Sequence, residues 1–423
     1  MSVHKPLIGL LVLLLFFSDF TVLTLGLSSA FAGWRELISV LLIMWLCLRA
    51  VASVSARGTV NIAVGRSLLI VLFFTFLYLL FGDFSESSVR MFRALAVPVF
   101  VGMAVAIWAQ AASVENKLKQ IYWSVLAMTL ATGLYALYQY LTIVSPDQFW
   151  YWSLLKAKGY ELQPYNSMRD GYPRVSGFFT GTLEFSAVIL NTAAMTLALL
   201  LNGRGWPLRR RLLLSGVFVV LCGLIVIGSV RTAMIGLVCI CLMLLLTKLL
   251  RTAWLISLIG YVQFVGLTLA VFVYLSMGYT QDLSALDRER QWLHMFSILA
   301  SQPMGYGFGA VGPGQAHWFD SFWLNLLATC GFIGLLIMSG MILWYHKLVT
   351  FIVRERSYAG AWTKGMGSFV IASYPFFLSS FFFQSYTNSV SLYVFAIVVM
   401  VIIGESKRTR VEPGGIDSSL SKV

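Results

Sequence analysis

The sequence predicts an all-α integral membrane protein, and three observations support this fold class. Hydrophobic residues make up 59% of the chain and charged residues only 11%, which is far from the balance of a soluble domain. The apolar residues gather in long runs of the length that a helix needs to cross a bilayer. The basic residues fall mostly in alternate connections between those runs, as they do in the cytoplasmic loops of membrane proteins.

Twelve apolar segments are expected to be membrane-spanning helices of one domain that covers residues 1–405. The first is interpreted as a retained span rather than a cleaved signal peptide, because no small-residue cleavage site follows it. The expected spans are 7–26, 34–52, 67–82, 91–112, 118–144, 177–201, 212–229, 232–250, 254–276, 322–346, 365–384 and 388–404. Residues 406–423 are charged and contain Gly, Pro and Ser, so we expect a disordered cytoplasmic tail.

The distribution of Lys and Arg also predicts which way the chain crosses the membrane. If the amino terminus is cytoplasmic, most basic residues lie in cytoplasmic connections, so the net charge of +13 requires no nucleic-acid partner. Two long connections, Ser145 to Arg174 and Met277 to Ser321, are then extracytoplasmic. The sequence contains no Walker loop, no dinucleotide fingerprint after a strand and no HExxH motif. No cofactor and no metal is therefore expected.

The second long connection carries the densest group of polar residues in the chain. It is expected to contain a short amphipathic helix from Arg288 to Ser301, then a Pro-Met-Gly-Tyr-Gly-Phe-Gly turn, then His317 and Asp320 before the next span. Polar loops on a rigid scaffold are where chemistry usually lies. The glycines are better explained by a tight turn packed against the bilayer surface than by a phosphate-binding loop. His294, on the helix, is interpreted as a surface residue.

Several polar residues have a structural interpretation beside a functional one. Arg231 lies in a tight turn between two spans, where a cation either binds a ligand or extends to the lipid headgroups. Arg288 and Arg290 stand beside acids on the amphipathic helix, where they could form only a solvated face. Glu184 near the start of a span is expected to pair with an arginine, in a structural or a catalytic role. Asp320 either takes part in chemistry or caps the next helix.

Four stretches, taken in order, resemble motifs of the O-antigen ligase and polymerase superfamily of bacterial envelope glycosyltransferases. They are Val175–Phe179 through Phe185–Ala187; Gly228–Ala233; Arg288–Trp292 with Pro303–Gly309; and Asp320–Leu324 with Gly331–Leu335. Arg174 begins the first of them. Two positions differ from the family pattern: Glu184 replaces the usual Asn, and Asp320 stands where ligases usually carry His.

The resemblance implies a membrane glycosyltransferase, similar in fold class to the class C enzymes, in the bacterial inner membrane with a periplasmic active site. Its donor would be an oligosaccharide on a polyprenyl diphosphate, which an acceptor sugar hydroxyl displaces without a metal. Arg231 and Arg288 match the diphosphate-binding arginines of the family, and Arg290 is a nearby substitute.

The remaining site residues follow from the same resemblance. Arg174 and Glu184 are expected to contribute to substrate binding. A carboxylate or an imidazole would accept the proton of the attacking hydroxyl, and Asp320 and His317 are the candidates.

These expectations favour a polymerase that joins lipid-linked repeat units of an O-antigen, with a chain-length regulator as an optional partner. A ligase that transfers finished polymer to a lipid A core or a protein is the first alternative, and the Asp at position 320 disfavours it. A transporter of lipid-linked oligosaccharide is the second alternative. It would carry charged residues along several spans, whereas away from the ends of the expected spans only Asp19 and Glu184 are charged.

Overall fold

A computed structural model describes the helical body of the protein and most of its connections. The described residues are 4–24, 34–57, 62–83, 85–108, 113–157, 167–169, 171–203, 205–250, 252–276, 283–311, 315, 317, 319–355, 360–381 and 389–405. The side chains of Asp19, Glu36, Arg169 and Asp170, and the tail from residue 406, lie outside the described part.

The chain is almost entirely helical, as the apolar runs predict. The helices are α1 His4–Thr24, α2 Trp34–Arg57, α3 Ile62–Phe81, α4 Glu86–Trp108, α5 Val114–Thr142, α6 Trp152–Ala157, α7 Thr182–Asn202, α8 Leu208–Ile227, α9 Arg231–Leu249, α10 Ala253–Ser276, α11 Leu283–Ser301, α12 Phe322–Glu355, α13 Ala361–Ser380 and α14 Val390–Glu405. The first long connection also holds a short antiparallel hairpin of β1 Met168–Arg169 and β2 Tyr172–Pro173.

Seven helices in the described part of the chain are long and apolar enough to cross a membrane. They are Ser87–Ile107, Val114–Thr142, Thr182–Asn202, Leu208–Ile227, Arg231–Leu249, Ala253–Val273 and Phe322–Glu355. Four further apolar stretches are shorter, namely Ile8–Ser18, Leu37–Arg49, Gly65–Phe81 and Val390–Ile403. The protein is thus an all-α membrane protein. Each of the twelve expected spans overlaps a helix, but α13 belongs to neither set, so the number of helices that cross the membrane stays a prediction.

The central helices are joined by buried polar contacts as well as by apolar packing. The hydroxyl groups of Thr129 on α5 and Thr192 on α7 are 3.0 Å apart, and α7 also contacts α14 through Asn191 Nδ2, which donates to Ser391 Oγ at 2.6 Å. In an apolar environment a polar side chain gains most by pairing with a neighbouring helix. These contacts fix α7 as the helix around which α5, α13 and α14 pack.

The described parts of both long connections lie at one end of the bundle, which we call the loop end. There the chain contacts itself across distant segments: Glu184 at the start of α7 contacts the start of α14, and Ser321 before α12 contacts Phe381 after α13. The loop end therefore brings together the starts of α7, α12 and α14 with the end of α13.

Helix α12 is interrupted at Gly331, whose backbone angles of φ 55° and ψ −133° are not helical. The break frees carbonyl groups in the preceding turn, and the Gly-rich loop supplies donors for them. The N–H groups of Tyr306 and Gly307 donate to Ala328 O at 2.7 Å and Thr329 O at 3.0 Å. After the break, the N–H of Phe332 donates to Pro303 O at 2.9 Å. The loop and the break thus form one unit.

Candidate active site

The backbone on both sides of Asp320 is held by a single buried amide. Asn325, in the first turn of α12, is only 2% exposed. Its Oδ1 accepts the N–H of Phe319 at 3.2 Å, and its Nδ2 donates to Phe319 O at 2.7 Å and to Ser321 O at 2.9 Å. Because both neighbours of Asp320 are fixed in this way, the position from which its carboxyl group extends is fixed too.

A second amide holds Asp320 itself. The backbone N–H of Asp320 donates to Gln291 Oε1 on α11 at 2.9 Å, and Gln291 Nε2 donates to Asp287 Oδ2 at 2.9 Å. Arg288 lies one turn before Gln291 on the same helix, and its charge acts on the Asp320 carboxyl group. The structure therefore holds Asp320 against the helix that carries Arg288, although the two residues are thirty-two positions apart in sequence.

The pKa of Asp320 is raised above the ordinary aspartate value. Burial is the main cause, because a carboxylate loses hydration in the half-buried position. The positive charge of Arg288 lowers the pKa, the negative charge of Asp287 raises it, and hydrogen bonding by Gln291 lowers it. The net effect brings the carboxyl group closer to the range in which a general base exchanges protons.

From the sequence, Asp320 could have been the N-cap of α12, but Ser321 has that role. Ser321 Oγ accepts the N–H of Leu324 at 3.2 Å and donates to Phe381 O at 2.9 Å. Ser321 is therefore the N-cap of α12, which begins at Phe322. The Asp320 carboxyl group is left available for another role.

His317 lies on the loop before α12 and not on the helix itself. Helix α12 begins only at Phe322, so His317 and Asp320 do not lie one helical turn apart. Instead His317 pairs with Val311 in an isolated β-bridge, and its ring stacks on Tyr306 with ring centres 4.2 Å apart. The stacking ties the histidine to the Gly-rich loop. His294 is exposed, as expected.

The Gly-rich loop is a structural turn. Gly305 and Gly307 have φ values of 79° and 81°, which only glycine adopts readily. Its amide groups are used within the protein: those of Tyr306 and Gly307 pair with α12, and that of Gly305 donates to Gln302 O at 2.9 Å. A phosphate could not bind those three N–H groups without breaking these bonds. The turn packs against α12, and its expected position at the bilayer surface stays a prediction.

Glu184 and Arg231 lie on neighbouring helix starts. Glu184 Oε1 accepts the N–H of Val390 at 2.9 Å and so joins α7 to the first residue of α14. Arg231 is exposed at the start of α9, after a turn in which Ser229 has a φ of 53°. That turn approaches α7 closely, because a Cβ on Gly228 would meet the Ser186 hydroxyl group. The observed partner of Glu184 is the backbone N–H of Val390. Its pairing with an arginine stays a prediction.

The other two predicted binding residues lie at the edges of this region. Arg290 is exposed on α11, two residues after Arg288. Arg174 is half-buried beside the hairpin of the first long connection, and its N–H donates to Ser167 O at 2.8 Å. Its charge acts on Tyr151, whose pKa is raised chiefly by burial and is lowered by hydrogen bonding to Ser167 and by Arg174.

Six of the seven predicted residues thus form two groups at the loop end, while Arg174 lies beside the hairpin of the first long connection. One group lies where α11 meets the start of α12 and contains Asp320, Arg288 and Arg290, with His317 on the adjoining loop. The other lies at the starts of α7 and α9 and contains Glu184 and Arg231. Helix α13 packs between them, since its Phe381 contacts Ser321 and a Cβ on Gly236 of α9 would meet Phe376.

Three amides that hold the backbone at the loop end, and one buried arginine, were not predicted. Gln291 and Asn325 hold Asp320. Gln139, only 1% exposed on α5, accepts the N–H groups of Ser176 and Gly177 at 3.1 and 2.8 Å. Arg35 is buried at the start of α2. The available signal was a polar side chain inside or beside an apolar run, which in a membrane protein usually has a specific partner.

Within the described residues, no group of three or more His, Cys, Asp and Glu side chains is arranged to hold a metal ion. The cations of the region are arginines, which bind phosphate or carboxylate groups through paired N–H donors. Comparison of the chain with protein-family models, with curated proteins and with solved structures found no match.

Proposed function

We propose that this protein is a glycosyltransferase that joins oligosaccharide repeat units carried on a polyprenyl diphosphate. The single observation that carries the proposal is the hydrogen bond that holds Asp320 against α11, the helix that carries Arg288. It supplies a proton acceptor and a phosphate-binding cation at the same end of a membrane protein. The resemblance of four ordered motifs to the O-antigen polymerase and ligase superfamily supports the same reaction.

In the proposed reaction, Asp320 is the base. Its carboxylate takes the proton of an acceptor sugar hydroxyl group as the hydroxyl oxygen attacks the anomeric carbon of the donor. The bond between that carbon and the diphosphate oxygen breaks, and the electron pair leaves with the lipid diphosphate. The raised pKa of Asp320 suits this role, because a stronger base accepts the proton more readily. His317 is the alternative base.

The arginines stabilise the charge that develops on the leaving diphosphate. A guanidinium group donates two parallel N–H groups to phosphate oxygens, which a lysine ammonium group cannot reproduce. Arg288 would bind the diphosphate near Asp320, and Arg231 would bind it from the start of α9. Arg290 lies two residues after Arg288 and so on another face of α11, where it would serve only as a substitute. Arg174 and Glu184 would contact the sugars of the repeat units.

The proposal includes a location. Twelve spans would cross the inner membrane of a bacterium with the amino terminus in the cytoplasm, so the loop end would face the periplasm. The excess of basic residues in alternate connections supports this sidedness. Lipid-linked repeat units of the outer leaflet could then reach Arg231 and Arg288 from the bilayer.

The test is an assay of the purified protein with a synthetic lipid-linked repeat unit, read as lengthening of the lipid-linked glycan. Asp320→Asn should lose turnover by about 10²–10⁴-fold and still bind the donor, because the amide cannot accept the proton. Normal turnover in Asp320→Asn together with a dead His317→Ala would assign the base to His317.

The same assay tests whether the arginines bind the leaving diphosphate. Arg231→Ala should abolish lengthening, and Arg231→Lys should restore little of it. Arg209→Ala changes an exposed arginine at the opposite end of the bundle and should have no effect. Activity should persist in EDTA, since arginines supply the positive charge. Transfer to a lipid A core acceptor without lengthening would support the ligase. If no glycosidic product forms, the result would support the transporter.

A further inference from the structure

Arg35 is a buried cation at the loop end that the proposed reaction does not use. It lies in the first turn of α2 and is 9% exposed. Its guanidinium carbon is 5.1 Å from the ring centre of Tyr393 on α14 and 5.5 Å from that of Trp34. Its Nε is wholly buried and has no hydrogen-bond acceptor, and no carboxylate among the described side chains forms an ion pair with it.

A guanidinium group in this position needs a negative partner. Taking a charge out of water is unfavourable unless an opposite charge and hydrogen bonds replace the hydration. Two aromatic rings compensate only in part, because a cation–π contact supplies no acceptor for the N–H groups. Within the described part of the chain that acceptor is missing. The segments that precede α2 and α14, residues 25–33 and 382–388, contain neither Asp nor Glu.

The surroundings of Arg35 leave an approach from outside the protein. Only Nε is among the wholly buried, unpaired donors, so the two terminal NH₂ groups reach the surface. Tyr393 lies one turn after Val390, whose N–H is bonded to Glu184. A ligand at Arg35 would therefore lie beside the first turn of α14, next to the substrate region and distinct from Asp320 and Arg288.

We propose that Arg35 binds the phosphate group of an anionic lipid at the loop end. The planar guanidinium group, held by Tyr393 and Trp34, would present its two NH₂ groups to phosphate oxygens. The phosphate has two chemical sources at a membrane surface: the headgroup of a bilayer phospholipid, and the carrier of a lipid-linked saccharide. Binding is measurable without turnover, so the proposal stands or falls separately from glycosyl transfer.

The experiment is native mass spectrometry of the full-length protein titrated with phosphatidylglycerol, with undecaprenyl diphosphate and with phosphate-free diacylglycerol. Arg35→Gln should weaken the tightest phosphate-lipid adduct about tenfold, the loss expected for one charge-assisted hydrogen bond. The lipid whose binding falls identifies the source of the phosphate. Diacylglycerol binding should not change.

Arg49→Gln is the matched control. Arg49 lies on the same helix, near its other end, is exposed and stands 5.3 Å from the ring centre of Trp45. Its replacement should leave the tightest adduct unchanged. Tyr393→Leu keeps the charge of Arg35 but removes the ring that orients it, so it should also weaken binding. Unchanged binding of both phosphate lipids in Arg35→Gln would overturn the proposal; if that variant does not fold, unchanged binding in Tyr393→Leu would do so.

Discussion

Gln291 accepts the backbone N–H of Asp320 with an N–O distance of 2.9 Å, across the gap between α11 and the start of α12. This bond makes the amphipathic helix part of the environment of the carboxyl group. The helix then supplies both signs of charge, with Asp287 and Arg288 acting on the pKa of Asp320 in opposite directions. Each of these effects can be tested separately.

Asp287→Asn should move the acid limb of the pH–rate profile to lower pH. Asp287 raises the pKa of Asp320, and the asparagine removes the negative charge while keeping an oxygen for Gln291 Nε2. The base would therefore become deprotonated at a lower pH. The measurement is glycan lengthening by purified protein as a function of pH. Glu289→Gln, on the same helix, is the control and should leave the profile in place; an upward movement in Asp287→Asn would contradict the assignment.

Asp320→Asn should make the protein more stable at neutral pH although it loses turnover. A carboxyl group whose pKa is raised in the fold contributes its full stability below the unfolded-state pKa, and part of that stability is lost as the pH rises toward the folded-state pKa. The asparagine does not ionise and avoids this loss. Thermal unfolding of purified protein should show a higher midpoint at pH 7, and the gain should vanish below about pH 4. A lower midpoint at pH 7 would contradict the raised pKa.

The sequence placed Asp320 and Arg288 in the same connection, but it could not reveal how they are held. Charged residues in an apolar chain are conspicuous, and the amphipathic pattern predicted a helix that the structure confirms, with a start five residues earlier. Gln291 and Asn325 gave only a weak signal, since an amide on a helix is usually solvated or bonded locally. Their partners depend on how α11 and α12 pack, which no local pattern encodes.

Asn325→Leu should destabilise the protein and reduce turnover. Leucine keeps much of the volume but leaves the N–H and C=O of Phe319 without their partner, at a cost of about 1–3 kcal/mol for each group that stays unpaired. Thr329→Val removes a different buried polar group of the same helix, a hydroxyl that bonds only Asn325 O. Its effect on turnover should be small. Equal losses of turnover in both variants would mean that Asn325 has no special positioning role.

Gly331→Ala should be strongly destabilising, whereas Gly340→Ala on the same helix should not. The positive φ of Gly331 costs about 1–3 kcal/mol for other residues, and a Cβ there would overlap the carbonyl oxygen of Pro303. A Cβ on Gly340 meets no atom within 4 Å. Alanine at that position should change stability by less than about 1 kcal/mol, in the stabilising direction. The two variants should be compared by thermal unfolding, and equal midpoints would refute the structural role of the break.

The orientation of the protein in the membrane can be tested at one exposed serine and one exposed threonine. In a cysteine-free background, Ser153→Cys in α6 should react with a membrane-impermeant thiol reagent added to the periplasmic side. Thr252→Cys, before α10, should react only after the membrane is permeabilised. The reverse pattern would invert the topology and move the loop end to the cytoplasm.

The interruption of α12 could not be predicted from the apolar run that forms the helix. The run predicts a span from 322 to 346, and the structure has a helix there that continues to Glu355. Gly331 gives no sign of its conformation, because a glycine in an apolar helix is common and the strain depends on the loop that contacts it. The Pro-Met-Gly-Tyr-Gly-Phe-Gly segment predicted a turn, but its partner was identified only by the pairing with Ala328 and Thr329.

The break at Gly331 also makes the geometry of the candidate site independent of the thickness of the surrounding bilayer. A continuous helix tilts when its apolar length exceeds the hydrocarbon core, and the tilt would reorient every residue attached to it. Here the turn that holds Asp320 lies before the break and is fastened to α11 and to the end of α13. We therefore expect the long segment after Gly331 to adjust to membranes of different lipid composition while the geometry around Asp320 stays constant.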